Sequence, residues 1–279
     1  MNILDIIKKD YSNVPYFDHN RAVLSAPVRH IFMMSTIEYL KKNNHKKIKL
    51  LEIGSWFGAS TLTWAQAIDT FFGEQNEIHC VDAWKPFFET SNHESQDYVQ
   101  EMESLLEKDV VYHIFKHNVK TISNKIKVIT YRKFSDDFFK ENNETYDLIF
   151  IDADHSYDSV LKDIQNAKKF IKDDGIICGD DLNLQLHQVD MNFAELNKSK
   201  DFIQDPKTKK NFHPGVTMAV SESFGNVNSW GGYWAIQKSN SCWKNISLAE
   251  LNFDVPRHFN ETQSKMAMSH FKDIEHSIL

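Results

Sequence analysis

The stretch YDLIFIDADHSYDSVLKDI, residues 146–164, decides the fold. An apolar run from Leu148 to Ile151 stops at Asp152, and Asp154 and His155 follow almost at once. Beyond them SVLKDIQNAKKFIK (159–172) places apolar residues at 160, 161, 164, 167, 170 and 171, the spacing of one helix face. A short apolar run, an acidic turn and an amphipathic helix make one strand–helix unit of a parallel sheet. Two carboxylates and an imidazole within four positions are costly neighbours unless a positive charge lies among them.

The same unit recurs outward from this point. IKLLEIG (48–54) is a short strand broken by Gly54, and STLTWAQAIDTFF (60–72) is an amphipathic helix. EIHCVDAW (77–84) is a second strand ending in acid and KIKVITYRKF (125–134) a third. The run at 146–154 is the fourth and DGIICGDD (174–181) the fifth, with Gly175 placed to stop the preceding helix. GGYWAIQK (231–238) reads as a last strand. Strands alternating with helices predict an α/β, doubly wound, Rossmann-like fold with both sheet faces covered. Residues 1–48 read as a helical segment: APVRHIFMMSTIEYLKKNN carries Val28, Ile31, Phe32, Ile37 and Leu40 at helical spacing, with Pro27 at its start and Asn43–Asn44 at its end. The main domain runs over 49–238, with 83–120 a candidate lid because it exceeds what a connection needs. A C-terminal extension follows at 239–279.

Composition bounds the function. The 279 residues hold 41% hydrophobic and 25% charged side chains, as in an ordinary globular protein. A net charge of −7 argues against a nucleic-acid binder, which neutralises phosphates with surplus Lys and Arg. Cys80, Cys178 and Cys242 have neither metal-like spacing nor an evident pairing, which suits a reducing compartment. The opening MNILDIIKKDYSN carries acid and lysines where a secretory signal needs a long apolar stretch, and no run approaches membrane length. A cytoplasmic protein without membrane insertion is expected; homo-oligomerisation is left open.

In open parallel sheets, ligands bind beyond the carboxyl ends of the strands. Those ends carry Glu52–Gly54, Asp82, Phe134–Ser135, Asp152–His155 and Asp180–Asp181. LLEIGSWFGAS sets Glu52, Gly54 and Gly58 in the spacing E-x-G-x-x-x-G at the first strand-to-helix turn. The turn is not G-x-G-x-x-G: Trp56 and Phe57 lie inside it, which serves a pyrophosphate poorly and a ligand without phosphate better. Asp82 is placed to accept hydrogen bonds from a ribose. Taken alone, the turn also reads as a plain glycine turn and Asp82 as a helix cap.

The runs EIGSWFGAS, VDAW and IDADHSYDSVLKDI…GIICGDD resemble the class I S-adenosylmethionine-dependent methyltransferases. Within them the resemblance is to metal-dependent small-molecule O-methyltransferases of the type acting on macrolide sugars, related to the catechol enzymes. It covers about residues 49–238 and implies a seven-stranded sheet with an antiparallel last strand, a role for GGYWAIQK. It further implies that Glu52 and the 54–60 loop (Gly54, Ser55, Gly58, Ser60) hold the methionine part, that Asp82 holds the ribose hydroxyls, and that Ser135 lies near the adenine. Asp152 is counted with both the cofactor side and the metal. Trp84 is either an adenosine-flanking aromatic or a core one.

A bound cation answers the question raised by 146–164. Asp152 and the pair Asp180–Asp181 offer oxygens to a hard cation, magnesium first, with manganese or calcium as substitutes. The resemblance gives these three residues as metal ligands and His155, three positions beyond the first, as general base, as in the sugar-modifying branch. The expected chemistry is methyl transfer to a hydroxyl of a small molecule or sugar. Asp154 steers His155, supports the metal or binds acceptor. His187 and His213 line the acceptor pocket or are structural. Tyr157, Asp158 and Asp163 are expected to open and solvate the following helix. The competing readings are an NAD-type oxidoreductase, weakened by the missing glycine pattern, and a scaffold that keeps the fold without catalysis.

Overall fold

A computed structural model of the chain describes residues 3–17, 26–86, 96–248 and 254–278. The elements in chain order are α1 (Ile3–Asp10), α2 (Val28–Lys42), β1 (Lys49–Ile53), α3 (Ala59–Phe71), β2 (Asn76–Asp82), α4 (Gln96–Glu107), α5 (Val110–Val119) and β3 (Ile126–Arg132). Then come α6 (Ser135–Glu141), β4 (Tyr146–Ile151), α7 (Tyr157–Phe170), β5 (Ile171–Leu182), α8 (Met191–Leu196), β6 (Ile203–Gln204), β7 (Asn211–Phe212) and α9 (Pro214–Phe224). The chain closes with β8 (Ser229–Trp230), β9 (Gly232–Ser239), β10 (Cys242–Asn245) and α10 (Glu261–Ile278).

The main sheet has the order β10-β9-β5-β4-β1-β2-β3, with short β8 paired to β9. Strands β1 to β5 are parallel, and β9 lies antiparallel to β5. This is the expected doubly wound, mostly parallel sheet with an antiparallel strand at one side. Every residue of β4 is buried, because helices cover both faces.

Alternation along the strands sorts side chains into two layers. Leu50, Leu148, Phe150, Ile176, Cys178, Tyr233 and Ala235 face the layer packed with α2, α3 and α5. Leu51, Ile149, Ile151, Ile177, Trp234 and Ile236 face the layer packed with α7 and α9. Helix α2 is buried on nearly all sides, since it packs against α3, β9 and α10. That burial carries even its Arg29 out of solvent.

Two local readings meet a different structure. Helix α7 ends at Phe170, and Gly175 lies inside a bulged β5 with Asp174 at φ 63° as the left-handed residue. A Cβ at Gly175 would come within 3.0 Å of the Asp147 carbonyl, so close backbone approach explains the glycine. Asp163 is buried and not solvated. In the segment read as a candidate lid, residues 87–95 lie outside the described residues; 96–107 form α4 and 110–119 form α5, with Ile114 and Phe115 fully buried. Among the described residues no helix is long and apolar enough to cross a membrane.

Candidate active site

The glycine turn after β1 is shaped by two acids. Gly54 has φ +86°, and a Cβ there would lie 1.9 Å from the Asp152 carbonyl oxygen, so no other residue fits. Glu52 is fully buried; its Oε2 accepts from the Ser55 hydroxyl at 2.8 Å and from the Thr61 hydroxyl. Ser60 lies in the same hydroxyl set around Glu52. Oε1 of Glu52 is buried without a hydrogen-bond partner among the described residues, and burial pushes the carboxyl pKa up. Helix α3 then opens at Gly58, φ +87°, with no side-chain cap. Its first N–H groups have no intrahelical partner and meet no side-chain acceptor among the described residues.

Asp82 stands at the tip of β2 and grips the same turn. It accepts from the backbone N–H groups of Ser55 (3.0 Å), Trp56 (2.9 Å) and Trp84 (2.6 Å). Those bonds take three of the roughly four lone-pair positions of a carboxylate. Trp84 is a core residue: it is 1% exposed, packs on Phe115 at 4.6 Å, and donates its indole N–H to the Trp56 carbonyl at 2.8 Å. Ser135 opens α6, and its hydroxyl meets the buried carboxylate of Asp163.

The second group gathers where β4 and β5 end. One oxygen from each of Asp152, Asp180 and Asp181 lies within 4.8 Å of the others. The positive charge among them comes from α2. Arg29 Nη1 sits 2.5 Å from Asp180 Oδ2 and 2.8 Å from Asp181 Oδ1, while its Nε donates to the Gly231 carbonyl at 2.8 Å. The β8–β9 turn leaves room for it, because a Cβ at Gly232 would lie 2.5 Å from the guanidinium. His155 Nδ1 is 2.6 Å from Asp201 Oδ1, and its Nε2 is 3.0 Å from Asp181 Oδ2. His213 packs edge-on to His155 at 4.7 Å and bonds Asn183 Oδ1 through Nδ1 at 2.9 Å.

Electrostatics follow from that geometry. Burial and the neighbouring Asp180 and Asp181 push Asp152 well above the usual carboxylate range. Asp181 is held well below it: burial opposes ionisation, but His213, Arg29 and His155 outweigh burial. Burial disfavours a charged His155, yet Asp181 and Asp201 raise its pKa well above the ordinary value. His213 goes the other way, lowered to about 4 chiefly by burial. Four carboxyl groups (Asp152, Asp180, Asp181, Asp201) thus face one guanidinium and one imidazolium. The carboxylate of Asp152 takes no hydrogen bond among the described residues.

The structure brings Asp152, His155, Asp180 and Asp181 together and sets Glu52, Gly54, Ser55, Gly58, Ser60 and Asp82 around one adjoining turn. Asp154 instead bonds the Ser156 hydroxyl at 2.7 Å, and His187 is exposed against Asn226. Arg29, Asp201 and Asn183 have no counterpart in the sequence reading. An arginine embedded in the apolar run APVRHIFMM was the one available signal, since arginine is rarely buried without a partner.

Residues 51–182 match the model of a family described as a methyltransferase domain. The chain carries an S-adenosylmethionine-dependent methyltransferase domain there. Among solved structures it is similar to an O-methyltransferase from Bacillus cereus in complex with SAH, at 17% identity over 84% of this chain and 90% of that one, TM-score 0.42. A TDP-rhamnose 3′-O-methyltransferase of calicheamicin biosynthesis, in its apo form, is similar at 13% identity over 74% and 77%, TM-score 0.39. No curated protein matches the chain.

Proposed function

We propose that this methyltransferase transfers the methyl group to a hydroxyl of a small molecule, with a sugar as the favoured acceptor class. The observation that carries the reading is the contact of Gly54 with Asp152, which makes the cofactor turn and the acidic cluster adjoin. A methyl donor in one and a hydroxyl in the other meet without any large movement of the sheet.

The donor set of the turn fits an amino-acid zwitterion. The unpartnered Glu52 oxygen is a match for an ammonium group, and the uncapped start of α3 for a carboxylate. Asp82 keeps a lone-pair position for a ribose hydroxyl while holding the turn. The cofactor supplies an electrophilic methyl on a sulfonium.

The acidic cluster fits a hard divalent cation, magnesium first. Its ligands are all carboxyl oxygens, they converge, and with Asp152 ionised they carry one negative charge more than Arg29 and His155 neutralise. Asp152, Asp180 and Asp181 would hold the ion, which supplies positive charge that acidifies an acceptor hydroxyl. His155 is the general base in this reading. Asp201 keeps Nδ1 protonated, so Nε2 is the nitrogen left to take a proton once Asp181 serves as a ligand. The hydroxyl proton goes to Nε2 and the oxygen pair forms the new C–O bond. The C–S bond breaks with its electrons left on sulfur, giving a methyl ether and S-adenosylhomocysteine. The enzyme's contribution is chiefly alignment of two bound reactants.

Asp152→Ala and His155→Ala test this, with S-adenosylhomocysteine release measured over a panel of sugar nucleotides and phenols. Turnover should fall by about 10²–10⁴-fold in both, with S-adenosylhomocysteine affinity kept within about threefold. Wild-type rates in both variants would sink the mechanism.

A further inference from the structure

His213, buried and neutral, has no part in the reaction above, yet its ring lies against His155 and its Nδ1 is 3.6 Å from Asp181 Oδ1. Its place is dictated by packing. Pro214 and Gly215 begin α9, and a Cβ at Gly215 would lie 2.3 Å from the His155 carbonyl and 2.5 Å from the Tyr157 nitrogen. Only a glycine lets the start of α9 press on the loop after β4 so closely. The consequence is a second donor group beside the all-oxygen one: His155, Asp181 and His213 each offer an atom, all within 4.8 Å of one another.

The separations within this group suit a metal. A cation with bonds of about 2.0–2.2 Å spaces its ligands roughly 3.0–3.6 Å apart in octahedral or tetrahedral geometry. His155 Nε2 and Asp181 Oδ2 are 3.0 Å apart, and His213 Nδ1 and Asp181 Oδ1 are 3.6 Å apart. Asn183 Oδ1 accepts from His213 Nδ1 at 2.9 Å, so a cation on Nδ1 takes the place of that proton, which moves to Nε2, and Asn183 Oδ1 stays beside it. The outer nitrogens are also prepared. Asp201 Oδ1 lies 2.6 Å from His155 Nδ1 and 3.6 Å from His213 Nε2. A carboxylate on the far side of a ligating imidazole fixes its tautomer and raises its basicity. Asp181 Oδ1 faces both Arg29 and His213, and Oδ2 faces His155.

We propose that His155, His213 and Asp181, with Asn183 beside them, form a second cation subsite that takes a borderline transition-metal ion, zinc first, in preference to magnesium. Two imidazoles in the donor set favour zinc, cobalt or nickel over the hard cations that carboxylates alone prefer. Asp181 is common to both groups, so the two ions compete. Zinc here also takes the Nε2 lone pair of His155. Zinc therefore inhibits methyl transfer, a consequence that rests on His155 being the base, whereas the binding itself does not.

The test is calorimetric titration of the full chain with zinc chloride and with magnesium chloride. His213→Asn and His155→Asn are the site variants, and His117→Ala, half-buried on α5 and in neither donor group, is the control. The wild type should bind one zinc at least about 100-fold more tightly than magnesium. Each site variant should lose at least about tenfold in zinc affinity, and His117→Ala should lose none. Far-UV circular dichroism and thermal melting show whether each variant is folded, and zinc inhibition of wild-type methyl transfer should follow the same midpoint. Zinc binding unchanged in both folded site variants overturns the subsite. Zinc binding lost as expected in a protein that never binds S-adenosylhomocysteine keeps the subsite and removes the proposed reaction instead.

Discussion

The two adjoining halves of the sheet's ligand edge are built in opposite ways. At β1 and β2, Glu52, Ser55, Trp56 and Asp82 hold one another through hydroxyls and backbone N–H groups, with no cation in the set. At β4 and β5, Asp180 and Asp181 are held by Arg29, some 150 residues earlier in the chain, and by His155. Hydrogen bonds to neutral donors suffice where one carboxylate sits at a time. Three converging carboxylates need full positive charge, and the fold imports it from the N-terminal helix. Helix α2 is therefore part of the site and not merely a cover over the sheet.

Breaking the imported charge should give the largest effect. Arg29→Met leaves Asp180 and Asp181 buried beside each other without their cation, a loss of about 3–5 kcal/mol in urea unfolding at pH 7. Adding Asp180→Asn should recover part of it. An unaltered unfolding midpoint in the single variant would mean that Arg29 is not the charge that holds this half.

A smaller effect sharpens the contrast. Asp163 on α7 is also buried, but it has only the Ser135 hydroxyl and forms no ion pair among the described residues; burial raises its pKa to about 7. A carboxyl whose folded pKa lies above its unfolded value stabilises the fold below pH 4, and that contribution is lost as pH rises towards 7. Asp163→Asn cannot ionise. It should be more stable than the wild type at pH 8, by on the order of 4 kcal/mol, and no more stable at pH 4. Equal gains at both pH values would show that ionisation is not the cause.

These differences also mark what the sequence could carry. Strand ends, the glycine turn and the acidic tips are contiguous signals, so the sheet, its order and the grouping at β1–β2 were legible. Asp163 was legible too and was misread: it lies three residues after Val160 and four before Ala167, on the stripe that α7 buries. Arg29 and Asp201 were not legible, because their meeting with His155 and Asp181 depends on how α2 and the segment after α8 pack. No spacing in the chain records that meeting. Gly232 and Gly215, which make room for Arg29 and for the start of α9, look like ordinary turn glycines until the approaching atoms are known.

The central claim is that the turn around Glu52 and Gly54 binds the cofactor independently of the acidic cluster. Calorimetric titration with S-adenosylhomocysteine, in magnesium and again in EDTA, with NAD as control, tests it most directly. The account predicts one site of micromolar affinity, changed by less than about threefold on chelation, and no NAD binding. Absence of S-adenosylhomocysteine binding in both conditions, or saturable binding of NAD, would contradict it.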